Sequence, residues 1–161
     1  MRLTILCLFI ATSLAYSQRT NTFRNNLHKV GKILVIVEDI KNPRLEARIS
    51  TDQIQTEIEL QLRQNKIPIS TKKADTLECV LDVEINSVPL ADNPDGMIFL
   101  VELSLIKVVN LSNTTSKLGP VRLWEATSYG VVPIERSEFI GERIRDCTNS
   151  FLNDYLAANS N

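Results

Sequence analysis

The stretch Met97 to Leu111 (MIFLVELSLIKVVNL) limits the fold of this chain more than any other. Ile, Leu, Val and Phe dominate it, Gly and Pro are missing, and Glu102, Ser104 and Lys107 break it up too much for a membrane helix. Such a density of β-branched and long apolar side chains predicts the central strand of a sheet. The runs on either side then become its neighbours.

Upstream, Thr76 to Val88 (TLECVLDVEINSV) alternates, with Leu77, Cys79, Leu81, Val83 and Ile85 on one side and Glu78, Asp82, Glu84 and Asn86 on the other. A period of two marks a strand with one dry and one wet face. Pro89 to Gly96 (PLADNPDG) carries the Pro, Asn-Pro and Asp-Gly signals of a hairpin loop. For the dry faces to coincide, odd positions must pair with odd, so Phe99, Val101, Leu103 and Leu105 join the core and Glu84 lies near Glu102 on the wet face.

Lys32 to Ile40 (KILVIVEDI) reads as a first strand, nearly continuous in apolar residues and so expected to be central or covered on both faces. Asn42-Pro43 interrupts it. A helix then starts at Ser50: the Ser is a good N-cap, Gln53 can close a capping box, and Ile49 can staple onto Ile54. Ile54, Ile58 and Leu62 form one stripe at spacings of four. Asn65 is expected to take the left-handed conformation that ends the helix, and Pro68 prevents a restart.

Val121 to Val132 (VRLWEATSYGVV) is the last strand, but its inward face is ambiguous, because Val121, Leu123 and Tyr129 share one parity and Trp124 and Ala126 the other. A bulge near Gly130, or a Trp124 on the wet face, would each resolve it. Ser137 is the expected cap of a closing helix in which Ile140, Ile144, Cys147, Phe151 and Tyr155 recur at spacings of four and three. The order β-α-β-β-β-α predicts an α+β domain over 32–158, a four-stranded mixed sheet with two helices packed on one face and a first crossover that is right-handed.

The helix Thr51 to Gln64 leading into Lys66-Ile67-Pro68, and the ending Phe151-Leu152-Asn153-Asp154-Tyr155-Leu156, resemble a family of small uncharacterised exported bacterial proteins. In that family a leucine-and-arginine helix precedes an Ile-Pro strand, and the last helix ends in a similar Phe-x-x-Asp-Tyr-Leu. Where those proteins often end the first helix with Gly, this chain has Asn65-Lys66. The arrangement is also similar to periplasmic modules such as the N-terminal domain of the translocation protein TolB. The resemblance implies an exported compartment and a fold, and no catalytic residue.

The N-terminus supports export independently. Arg2, the apolar run Leu3 to Leu14 and the small residues of Ala15-Tyr16-Ser17 read as a signal peptide over 1–17, too short for a spanning helix. Cys7 precedes the cut and lacks the small residues that follow a lipoprotein cysteine, so no lipid anchor is expected there. The polar 18–31 reads as a flexible leader, with the only histidine, His28, as a solvated side chain. The mature chain is therefore expected to be periplasmic or extracellular, with no transmembrane segment after cleavage. A net charge of −1 offers no basic field for nucleic acid.

Four groups of residues are candidates for chemistry or binding. Cys79 and Cys147 sit on inward faces; bonded, they would add roughly 4 kcal/mol in the chain-entropy model, but two buried thiols are the preferred reading. Asp82, Glu84 and Glu102, with Arg122, can share the wet face as an acid–base pair or ligand site, against the simpler reading of a solvated acidic face. Trp124, with Leu100 and Ile106, can form an apolar patch for a partner. Asn110 and Asn113 begin glycosylation sequons. There is no Cys-x-x-Cys, HExxH, phosphate-cradling Gly loop or nucleophile elbow. No cofactor or metal is expected. The favoured function is thus an exported, non-enzymatic interaction module, binding an envelope or secreted protein; the alternative is a small hydrolase or ligand-binding protein using the wet-face carboxylates.

Overall fold

A computed structural model describes residues 26–70, 79–110 and 118–160. The expected signal segment, residues 18–25 of the leader, the Asn113 sequon and positions 111–112 of the Asn110 sequon lie outside them. Strand β1 (Ile33–Val37) is followed by a short helix α1 (Pro43–Glu46) and the longer α2 (Thr51–Gln64). Strands β2 (Cys79–Leu90), β3 (Asn93–Asn110) and β4 (Leu118–Pro133) come next, then a 3-10 turn (Ile134–Arg136) and helix α3 (Glu138–Asn159). The sheet runs in the order β1-β2-β3-β4, with β1 parallel to β2 and the other pairs antiparallel. This is the α+β arrangement that the alternation and the two amphipathic stripes predict.

Register follows the dry face. Leu81 pairs with Leu105, Val83 with Leu103, Ile85 with Val101 and Ser87 with Phe99, so odd meets odd. Leu81, Val83, Val101, Leu103 and Leu105 are fully buried, and Ile58 and Leu62 of α2 and Ile140, Ile144 and Phe151 of α3 cover them from one side. Each such side chain stabilises the fold by roughly 1.5–3 kcal/mol relative to leaving it in water. The hairpin is tighter than its Pro-rich sequence suggests. Leu90 pairs with Asn93 across the turn Ala91-Asp92, and the register shift after Pro89 absorbs the rest of the expected loop into β3.

Helix ends follow the capping chemistry in part. Ser50 Oγ accepts from the Gln53 N–H at 3.3 Å, but the Gln53 side chain turns to Glu57 rather than closing the box. The left-handed residue after α2 is Lys66 (φ 59°), not Asn65 (φ −89°); Asn65 instead donates from its side chain to the Gln61 carbonyl. Ser137 makes no side-chain cap on α3, because the 3-10 turn leads directly into the helix and leaves Ser137 buried. Asn42 caps α1, with Pro43 at its first turn, and the helix buries Leu45.

The described end of the leader is held against the core rather than flexible. From Asn26 it packs, with Leu27 and Val30 buried, and it ties to the far end of α3: the Lys29 N–H donates to Asn159 Oδ1, Asn159 Nδ2 donates to the Leu27 carbonyl, and His28 Nδ1 donates to the Ala158 carbonyl. His28 is exposed but hydrogen-bonded.

Two thiols lie in this core. Cys79 and Cys147 are both buried, and burial, followed by the Asp146 charge and opposed by Arg143, pushes Cys147 up to about 11. Since the thiolate is the reactive form, neither should be alkylated by iodoacetamide in the native protein at neutral pH, and both should be after denaturation. Mass spectrometry reads this directly. A bonded pair would appear instead as a mass deficit and an unfolding midpoint that shifts with reductant.

Glycines give a second check. A Cβ on Gly130 would stand 2.8 Å from the Phe99 ring, whereas one on Gly141, inside α3, meets nothing within 4 Å. Gly130→Ala should cost roughly 1–3 kcal/mol through overpacking. Gly141→Ala should add about 0.5–1 kcal/mol through helix propensity. Urea unfolding of the two variants should move in opposite directions.

Candidate functional site

With both main helices on one side, the even residues of β2 and β3 face outward. The bulge in β4 decides what joins them. Leu105 pairs with Trp124 but Ile106 pairs with Arg122, so Leu123 is the extra residue and the facing parity of β4 switches there. Arg122 and Glu125 thereby share the outer face, and Trp124 points inward. The bulge is thus at Leu123, not near Gly130.

This corrects the apolar patch expected around Trp124. The indole is 2% exposed, its N–H donates to Asp154 Oδ2 at 3.0 Å, and its ring meets Phe151 edge-on at 5.2 Å. Burying a large aromatic with a satisfied N–H is core packing. Leu100 and Ile106 remain on the outer face, half-buried, but without Trp124 between them.

The outer face has a different apolar region, at the hairpin end. Val88 pairs with Ile98 and Ile98 with Val131, making one cross-strand row whose members are 62%, 47% and 63% exposed. In the next row Leu100 pairs with Tyr129, which is 80% exposed. Sequence alternation pointed to a wet even face on which Leu100 was already a candidate, but it did not single out Val88, Ile98 or Val131. The signal that finds them is register, which alone brings Val131 and Tyr129 alongside.

Beyond those rows the face turns acidic. Glu84 pairs directly with Glu102, and Asp82 pairs with Ser104 in the following row. Arg122 Nη1 lies 2.7 Å from both Glu102 Oε1 and Glu125 Oε2. Its hydrogen bond to Glu125 and the neighbouring Glu102 charge hold the guanidinium above its ordinary pKa. Asn86 Nδ2 donates to Glu84 Oε1 at 2.8 Å. Asp82 has no such help in its titration: burial raises its pKa first, and Glu38, Glu84 and Glu102 raise it further, with Arg122 opposing. The structure therefore brings Asp82, Glu84, Glu102 and Arg122 onto one face, with Glu38 and Glu125 added. Among the described residues no group of His, Cys, Asp and Glu has the arrangement to hold a metal ion.

A small cavity of about 230 Å³ lies where β4 ends, lined by Val131, Val132, Pro133, Arg136 and Phe139. Phe139 is held in place edge-on to Phe99 at 6.4 Å, with the Arg143 guanidinium 4.5 Å from its centroid. Among the described residues no helix is long and apolar enough to cross a membrane.

No family model and no curated protein matches the sequence. Among solved structures, the chain is similar to a minor lipoprotein from Acinetobacter baumannii, at 14% identity and a TM-score of 0.41, over 81% of this chain and 93% of that one. It is also similar to the rare lipoprotein B from Shewanella oneidensis, at 9% identity and a TM-score of 0.33, over 80% of this chain and 92% of that one. These structural neighbours are bacterial lipoproteins, with no link to the TolB N-terminal domain, and no residue role passes from them to this chain.

Proposed function

We propose that this chain is an exported, non-enzymatic interaction module that holds a protein of the cell envelope or its surroundings against the outer face of its sheet. One observation carries the reading: the row Val88, Ile98 and Val131, with Tyr129 beside it, leaves large apolar side chains next to one another in water. Single exposed apolar residues are ordinary, but a contiguous set rimmed by polar groups is characteristic of an interface. Tyr129 is the natural anchor, since an exposed aromatic contributes large contact area at little entropic cost. The acids on the neighbouring rows favour a partner that surrounds its own apolar contact with Lys or Arg.

A photo-crosslinking residue placed at Ile98 or at Val88 should give one discrete crosslinked product in the source cells. The same residue at Leu60, an exposed apolar position on α2, should give none. Equal crosslinking at all three positions, or at none, would remove the interface.

The second reading, a small hydrolase or ligand-binding protein built on Asp82, Glu84, Glu102 and Arg122, has the raised Asp82 in its favour. Against it, Arg122 is already engaged by two carboxylates, and what lifts Asp82 is partial burial among like charges rather than a shaped cavity. The two readings differ in what Asp82→Asn does. A carboxyl whose pKa is raised in the fold contributes stability that is fully present below its unfolded value and lost as pH rises through its folded value. Asp82→Asn should therefore unfold at an equal or higher temperature than the parent at neutral pH, and the advantage should vanish at about pH 3, where the carboxyl is neutral in both states. Crosslinking from Ile98 should survive the change. Loss of a bound ligand or of an activity in this variant alone would favour the second reading.

A further inference from the structure

The outer face is not the only unsatisfied surface of the sheet. Strand β4 stands at one end of the strand order, and from Ala126 to Val132 no strand lies beyond it among the described residues. The opposite edge differs: β1 is flanked by the segment at Ile69, with the Ile33 N–H donating to the Pro68 carbonyl and the Ser70 N–H donating to the Ile33 carbonyl. A long edge strand normally carries charge, Pro or a bulge against unwanted pairing. In β4 the bulge is at Leu123 and the prolines stand at 120 and 133, so the stretch between Ala126 and Val132 has none of these.

We propose that this edge, together with the cavity at its end, binds an extended segment of another protein by strand addition. The docking reading above supplies the expectation of a protein partner; the edge and cavity supply the mode. Residues opposite one another in paired strands share a sheet face. Val132 faces the helix layer and lines the cavity, so the partner residue opposite Val132 projects into the space bounded by Pro133, Arg136 and Phe139. At about 230 Å³ the space falls below the roughly 300–1,000 Å³ of small-molecule sites and suits one large apolar side chain. The partner residues opposite Val131 and Tyr129 lie on the outer face, where they meet the two most exposed apolar side chains of β4. The segment recognised therefore has large apolar side chains at an anchor position, at the next position, and two residues further on. Its backbone supplies hydrogen bonds, and its anchor supplies selectivity.

A second copy of this chain does not meet that requirement. Antiparallel pairing of two copies of the stretch Ala126 to Val132 over three residues or more would set Ala126, Ser128 or Gly130 opposite Val132, and each is too small to fill the space.

The test begins with a phage-displayed library of random nonapeptides panned against the exported chain. The expected result is enrichment of the stated apolar spacing. A selected peptide, synthesised with one N-methyl amide at a time, should lose about tenfold or more in affinity at every second residue, because only alternate amides face the edge. Val131→Lys, at an exposed position, should weaken it comparably, and Phe139→Ala should abolish selection at the anchor position while circular dichroism confirms the fold. Ile98→Lys should leave the peptide bound while ending crosslinking from Val88, so failure of the edge and failure of the face are read separately. N-methyl effects without alternation, no enriched spacing, or a dimer that Val131→Lys dissolves would each overturn the proposal.

Discussion

The fold depends on one constraint, the matching of two dry faces across the β2–β3 pair. Leu81, Val83 and Ile85 on β2 must meet Leu105, Leu103 and Val101 on β3, and a slip by one residue would carry Asp82, Glu84 and Glu102 beneath the helices. Burying those carboxylates unpaired would cost several kcal/mol each, far more than a slipped hairpin could recover. The tight turn at Ala91-Asp92 and the shift after Pro89 set that register locally, and the Arg44–Asp95 pair at 3.1 Å ties α1 to the hairpin end. Because that pair is exposed on both sides, it orients more than it stabilises.

The second constraint is the bulge at Leu123. Without it, β4 could not turn Trp124 toward Phe151 and also keep Arg122 beside Glu102, because two residues two apart in an unbulged strand share one face. One inserted residue therefore closes the core and completes the charge pairing outside it. Asp154 shows the same economy on the helix side. It is a buried carboxylate near the end of α3, and the indole N–H is among the groups that satisfy it. The Phe-x-x-Asp-Tyr-Leu ending noted in the sequence is thus a packing motif: Phe151 meets Trp124 edge-on, Asp154 accepts from the indole N–H, and Tyr155 lies against Phe151 at 5.9 Å.

Much of this was legible in the sequence because it follows from periodicity. Odd-numbered burial in β2 and β3, the stripes Ile54-Ile58-Leu62 and Ile140-Ile144-Cys147-Phe151-Tyr155, and the Glu84–Glu102 adjacency all come from repeats of two or 3.6. What was not legible depends on a single residue breaking the repeat. The face of Trp124 turns on where one extra residue is inserted, and alternation is equally good with the bulge at Leu123 or near Gly130. Gly130 attracted the bulge because Gly is common in such places. The structure gives it another cause, the approach of the Phe99 ring. The α1 turn was missed although Asn42-Pro43 is a good helix start, because four residues are too few to show a period. The candidate patch failed for a related reason. Val88, Ile98, Val131 and Tyr129 are far apart in sequence and become one surface only through pairing.

The charges on the outer face bear on why such a surface can stay exposed. Two copies stacked face to face with their strands running the same way would bury the apolar rows, but the same contact would bring Glu38, Asp82, Glu84, Glu102 and Glu125 of one copy near those of the other, with Arg122 on each offsetting them only in part. Like charges brought together in a partly dehydrated contact oppose association, so the acids guard the rows against self-stacking. On the proposed docking reading, the same acids would attract a partner of opposite sign. Selectivity would then come from one field acting in two directions, on the face where the register constraint already requires the carboxylates to lie. The edge of β4 lacks such protection over Ala126 to Val132, which is the expected state of a strand kept open for pairing rather than blocked against it.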